Sequence, residues 1–141
     1  MRVNHKWFRT ALAVVISALL ALTLFRTAGA APPGSPFTGV WQSTDTDLSH
    51  QTLAIGGVAT YHVRLYDDGA SVCGQDAYGV PLYAAIGLGT GSASGNTLVV
   101  TLAITCLSHP SRFYGNVPVA YTYNPSTDTL TDQIGVVWTR R

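Results

Sequence analysis

The chain carries two thiols, Cys73 and Cys106, and these are the first residues whose chemistry can be weighed. Neither has a second cysteine or a histidine at metal-ligand spacing, so neither a zinc site nor a thiol enzyme is expected. In an exported chain the simplest reading of two cysteines is one disulfide. Such a bridge closes a loop of roughly 30 residues and stabilises a small domain by about 3–4 kcal/mol. His50, His62 and His109 lie in three separate segments. Ser108 next to His109 is not a catalytic pair by adjacency, because triads are arrangements in space. There is no glutamate for acid–base work, and no paired carboxylates are expected inside a strand-lined cleft. The run Asp45-Thr46-Asp47-Leu48-Ser49-His50 begins like a calcium loop but has no glycine at its sixth position and no glutamate at its twelfth, so it reads as a hairpin turn. Gly87, Gly89 and Gly91 alternate along one strand face, where they let a backbone approach or a sheet bend. No helix follows them, which excludes a phosphate-binding loop. No enzyme activity, metal or cofactor is expected.

What remains for function is a binding surface. Two stretches, 74–81 and 108–116, are the longest expected connections, and each begins just after a cysteine. The first holds Gln75, Asp76, Tyr78 and Pro81; the second holds His109, Arg112, Phe113, Tyr114 and Asn116. Mixed aromatic and polar residues on long loops over a rigid scaffold make a binding surface. Asp76, Tyr78, His109, Arg112, Phe113 and Tyr114 are the candidate ligand- or partner-binding residues.

The scaffold follows from period-two patterning. Beyond residue 31 no stretch repeats apolar residues at helical spacing. Leu98, Val100, Leu102, Ile104 and Cys106 share one face, with Thr97, Thr101 and Thr105 on the other. Tyr61, Val63 and Leu65 alternate with His62, Arg64 and Tyr66, and Val117, Val119, Tyr121 and Tyr123 alternate with Pro118, Ala120, Thr122 and Asn124. Ile134, Val136 and Trp138 are expected on one face near the end. Turn chemistry falls between these runs, as in Asp67-Asp68-Gly69 and Asn124-Pro125-Ser126-Thr127-Asp128.

Eight strands are expected, at 37–44, 51–56, 60–67, 69–74, 82–93, 96–107, 117–124 and 130–140. They predict an all-β, antiparallel up-and-down meander that closes, or nearly closes, into a small barrel; a sandwich is the alternative. Strand parity places the turns at 45–50, 67–69, 94–96 and 124–129 at one end and the connections at 57–59, 74–81 and 108–116 at the other. In this order the strands holding the two cysteines flank a third. That sets them roughly 10 Å apart, so the bridge requires the intervening strand to start short of that end or the strand order to differ.

The first 30 residues have the three parts of a secretory signal. Arg2, Lys6 and Arg9 form a basic start; Ala11 to Phe25 is apolar apart from Ser17 and Thr23; Ala28-Gly29-Ala30 is a small-residue exit. Cleavage after Ala30 is expected. The apolar run is short for a retained anchor, the alternative reading. There is no twin-arginine pair and no cysteine near the junction, which favours general secretory export of a chain that is not a lipoprotein. Residues 31–36 read as an extended, proline-rich arm, and 37–141 as the barrel domain. Export leaves four arginines against seven aspartates, a formal net charge of −3, and no lysine. A lysine-free acidic surface is a poor partner for nucleic acid or for anionic membrane.

Gly39-Val40-Trp41 opens the first expected strand, and Val137-Trp138-Thr139-Arg140 closes the last. This pairing resembles the calycin group of lipocalins, avidins and their small relatives. The resemblance implies an indole packed at the barrel floor with an arginine from the last strand laid across it, here Trp41 and Arg140. The chain departs from lipocalins in being shorter, with compact turns. Two further segments, Asp67 to Cys73 and Thr129 to Trp138, resemble parts of small exported bacterial domains; that resemblance implies no mechanism. Together these readings lead to a secreted or envelope binding module that holds a small apolar or aromatic ligand at the barrel mouth. The alternatives are a protein-interaction domain such as a secreted protease inhibitor, and a glycan-binding domain using Tyr66, Tyr78 and Tyr114.

Overall fold

The computed structural model describes residues 34–141; the expected signal peptide and residues 31–33 of the arm lie outside the described residues. The described chain is a closed antiparallel barrel of eight strands in simple up-and-down order. The strands are β1 (Gly39–Thr44), β2 (His50–Gly56), β3 (Tyr61–Asp67), β4 (Ala85–Ser94), β5 (Thr97–Cys106), β6 (Arg112–Asn124), β7 (Thr129–Asp132) and β8 (Val137–Arg140).

The period-two runs supply the core. Leu98, Val100, Leu102 and Cys106 are buried on β5, and they meet Tyr121 on β6, Leu53 and Ile55 on β2, and Val63 on β3. Gly89 and Gly91 face this interior so closely that a Cβ on either would lie within 2.2 Å of a carbonyl oxygen of β5, Thr101 or Val99. The glycine lane therefore brings one strand's backbone onto its neighbour's.

Two strand assignments are corrected, and the corrections offset each other in the count. Residues 69–74 form no strand; Ser71–Cys73 is a single 3-10 turn inside a long connection from β3 to β4. Side chains hold that turn. Asp67 accepts the Gly69 N–H at 3.0 Å, and Asp47 accepts the Ser71 hydroxyl. The stretch 130–140 divides into β7 and β8. The Asp132 carboxylate accepts the N–H groups of Ile134 and Val136, and Gly135 turns at φ +93°. Ile134, expected in the core, sits in that turn and is 71% exposed. Residues Arg112 to Asn116, expected in a loop, open β6.

Losing one strand at 69–74 shifts every later parity. The β1–β2 turn, the β3–β4 connection, the β5–β6 turn and the β7–β8 turn gather at one end, set by Gln51 opposite Asp67, Asp67 opposite Ala85, and Ala85 opposite Cys106. The 45–50 turn thus joins the long connections instead of opposing them, and 57–59 lies at the other end. The shift also removes the obstacle to the disulfide. Cys73 is on no strand, so its turn can bend over the rim to Cys106, with Cα atoms 5.4 Å apart.

The opposite end is the floor. Trp41 is fully buried and its Nε1 donates to the Phe37 carbonyl at 2.9 Å. The Arg140 guanidinium carbon lies 4.0 Å from the indole centroid. The same guanidinium donates to the carbonyls of Pro36 and Thr38 and pairs with Asp128 at 2.9 Å. Of the expected arm, Ser35 is tied to this floor, accepting the Phe37 N–H and the Tyr61 hydroxyl.

Candidate functional site

The mouth is hollow on one side, and strand length is the cause. β6 has thirteen residues, but β7 has four and covers only Tyr121 to Asn124. The first half of β6 therefore has no strand on its outer edge. The Gln133 side chain substitutes for one there, accepting the Ala120 N–H at 2.6 Å and donating to the Pro118 carbonyl at 3.1 Å. Pro118 itself offers no donor, which blunts the edge against pairing. Inside, Val117 and Val119 look across to Leu65 with nothing filling the gap.

Two adjoining cavities occupy this space and share Leu65, Val117 and Val119. One, about 160 Å³, runs under the long connection, between Ala70, Val72, Leu102 and Tyr114. The other, about 250 Å³, opens beside the β7–β8 turn, between Tyr121, Trp138, Ile134 and the polar groups of Asp45, Gln51 and Asp132. The first is walled almost wholly by apolar groups, and the second joins apolar walls to a cluster of converging polar groups; together they have the usual make-up of a small-molecule site. A larger concavity of about 660 Å³ lies on the outer face of β1–β4, around Val40, Ala54, Arg64 and Leu88. It is an open trough in a curved sheet, with no buried polar group directed into it, and is the weaker candidate.

The rim polar groups are organised. Gln51 points inward among leucines, and its Nε2 donates to Asp45 at 2.9 Å and to Asp67 at 3.2 Å, while its Oε1 accepts from Ser43. Two carboxylates therefore do converge inside a strand-lined mouth, contrary to the sequence-based expectation. The interior parity of Gln51 and Asp67 brings them there. Asp47 pins the β1–β2 turn to the β3–β4 connection through Ser71. Partial burial pushes its carboxyl upward, but hydrogen bonds from Ser71 and Ser49 outweigh this and hold it below the ordinary carboxylate range. Burial, with a smaller contribution from the charge of Asp132, pushes the Tyr121 phenol far above its ordinary value.

The residues expected to bind do not form one site. Tyr114 lines the mouth cavity. Asp76 caps its own loop, accepting the N–H groups of Tyr78 and Val80, and Tyr78 beside it is 92% exposed. His109 and Arg112 border a separate hollow of about 380 Å³ with Cys73 and Tyr83. Phe113 pairs with Thr105 on the outer face, one step past the irregularity in β5–β6 pairing. The residues passed over, Asp45, Gln51, Asp67, Tyr121 and Asp132, carried a readable signal. Gln51 stands in phase with Leu53 and Ile55, Asp67 with Leu65, and Asp132 with Leu130. A polar residue at an apolar parity position is costly unless it is partnered or used.

No family model matches the chain, and no match is found among curated proteins or solved structures. Among the described residues no helix is long and apolar enough to cross a membrane, and no group of three or more metal-ligating side chains is present.

Proposed function

We propose that this chain is an exported, non-enzymatic binding module that holds a small apolar or aromatic ligand in the barrel mouth beside β6. The observation that carries this reading is the pair of adjoining apolar cavities sharing Leu65, Val117 and Val119. Export is supported by the signal-like first 30 residues and by the Cys73–Cys106 disulfide, a bond at home in oxidising compartments. The calycin likeness is supported by Arg140 lying over Trp41 beneath a closed barrel. A second reading, a partner-protein surface, is favoured by one observation. Tyr78, Val80 and Leu82 stand exposed together on the β3–β4 connection.

Titration of the processed protein with 2-phenylethanol, followed by tryptophan fluorescence, tests the first reading, because Trp138 lines the cavity. Saturable binding is expected, weakened at least about tenfold by Val117→Phe, which fills the space both cavities share. Binding that survives Val117→Phe but is lost on Tyr78→Ala favours the exposed loop instead.

A further inference from the structure

We infer that the mouth cavity selects a small amine, a protonated nitrogen carried on an apolar body. This rests on the reading that the cavity holds a ligand and names the class of that ligand. The first observation is Tyr121. It is 1% exposed, lines the cavity, and its hydroxyl has no hydrogen-bond partner among the described residues. No fully buried side-chain oxygen or nitrogen there lacks a partner, so this unpaired oxygen must reach open space, and the cavity is the space it lines. A phenol buried to that degree ordinarily finds a partner.

The second observation is charge. Asp132 is the register neighbour of Tyr121, and Asp132 and Asp45 both border the same cavity. The donors these carboxylates receive are neutral: backbone N–H groups, the Thr46 hydroxyl, the Gln51 amide, and the Trp138 indole at a long 3.4 Å. Among the described residues the one ion pair, Arg140 with Asp128, is at the opposite end. Asp45, Asp47, Asp67, Asp68, Asp76 and Asp132 all belong to segments gathered at the mouth, where Arg112 is the single arginine. An ammonium group donates to Asp132 and Asp45 and offers a hydrogen to the Tyr121 oxygen, while its apolar body lies against Leu65, Val117 and Val119. A carboxylate ligand meets repulsion. The cavity of about 250 Å³ is smaller than the roughly 300–1,000 Å³ typical of drug-sized ligands, so one ring is the scale of the body.

The test uses three probes that share a phenylethyl body, 2-phenylethylamine, 2-phenylethanol and 3-phenylpropionate, titrated calorimetrically into the processed protein at neutral pH. The amine is expected to bind about tenfold or more tightly than the alcohol, the gain of a charge-assisted hydrogen bond, and the propionate most weakly. The preference should fall only partly at about 1 M salt, because a contact pair inside a cavity is screened much less than an exposed one. Tyr121→Phe should weaken the amine about fivefold, and Asp132→Asn should erase its advantage over the alcohol. Equal binding of amine and alcohol, or tightest binding of the propionate, overturns the amine assignment and leaves the cavity reading standing. Failure of all three probes to bind overturns both. If Asp132→Asn does not fold, the ranking of the three probes and Tyr121→Phe decide.

Discussion

Arg140 offers the sharpest test of how the barrel is held shut. Four of its five N–H groups are engaged: two on Asp128, one on the Thr38 carbonyl at 2.6 Å and one on the Pro36 carbonyl at 2.8 Å. Arg140→Met removes all of them but keeps an aliphatic chain over the indole. The two carbonyl bonds are charge-assisted and part-buried, at about 1.5 kcal/mol each. The lost cation–π contact adds about 1 kcal/mol. Asp128 is about half exposed, at 48%, so its pairing counts for no more than about 0.5 kcal/mol. The variant should therefore lose about 4–4.5 kcal/mol, a large part of the 5–15 kcal/mol of a typical domain. Arg140→Lys, without the planar fork, should lose about 2 kcal/mol. Urea unfolding followed by tryptophan fluorescence measures both. The pair also fixes a pH dependence. The Arg140 hydrogen bond, opposed by weaker desolvation, holds the Asp128 carboxyl below its ordinary value. A depressed carboxyl contributes stability that is present above its unfolded pKa of about 4 and disappears as pH falls through the folded value. That acid-side loss should flatten in Arg140→Met. A Met variant within about 1 kcal/mol of the parent, with unchanged acid sensitivity, would refute the reasoning.

Four further outcomes follow from the same geometry. Replacing Cys73 and Cys106 by alanine opens a loop with sequence separation 33, and should lower the unfolding free energy by about 3–4 kcal/mol in urea titrations. Gly89→Ala should cost more than about 3 kcal/mol, because its Cβ would stand 2.1 Å from the Thr101 oxygen, whereas Gly115→Ala, with open space around it, should stay within about 0.5 kcal/mol; thermal melts separate the two. Gln133→Ala frees the unpaired edge of β6, so amide exchange at Ala120 should accelerate while the β5 amides hold. Tyr121→Phe removes a hydroxyl that bonds nothing among the described residues, so its stability should stay within about 0.5 kcal/mol while ligand binding suffers.

The sequence by itself determined the barrel and its lining. Alternation along Thr97 to Cys106 and Tyr61 to Leu65 can be satisfied only by strands with one dry face, and that requirement is local. The Cys73–Cys106 bridge was legible because no other cysteine exists to pair with either, whereas the Trp41–Arg140 pair came from the calycin resemblance and not from the residues alone. The tertiary structure decided the rest. Residues 69–74 alternate well enough for a strand, yet the disulfide to Cys106 and the Asp47–Ser71 contact bend them into a turn, and both partners are distant in sequence. The long connections at 74–81 and 108–116 do share an end, as expected, but removing that one strand reversed the parity of everything after it, so placing the 45–50 turn with them was beyond local reading. The hollow is likewise a difference in length between β6 and β7, visible only once the strands pair. Local alternation fixes which way a side chain points. Which empty space it points into depends on where the neighbouring strand stops.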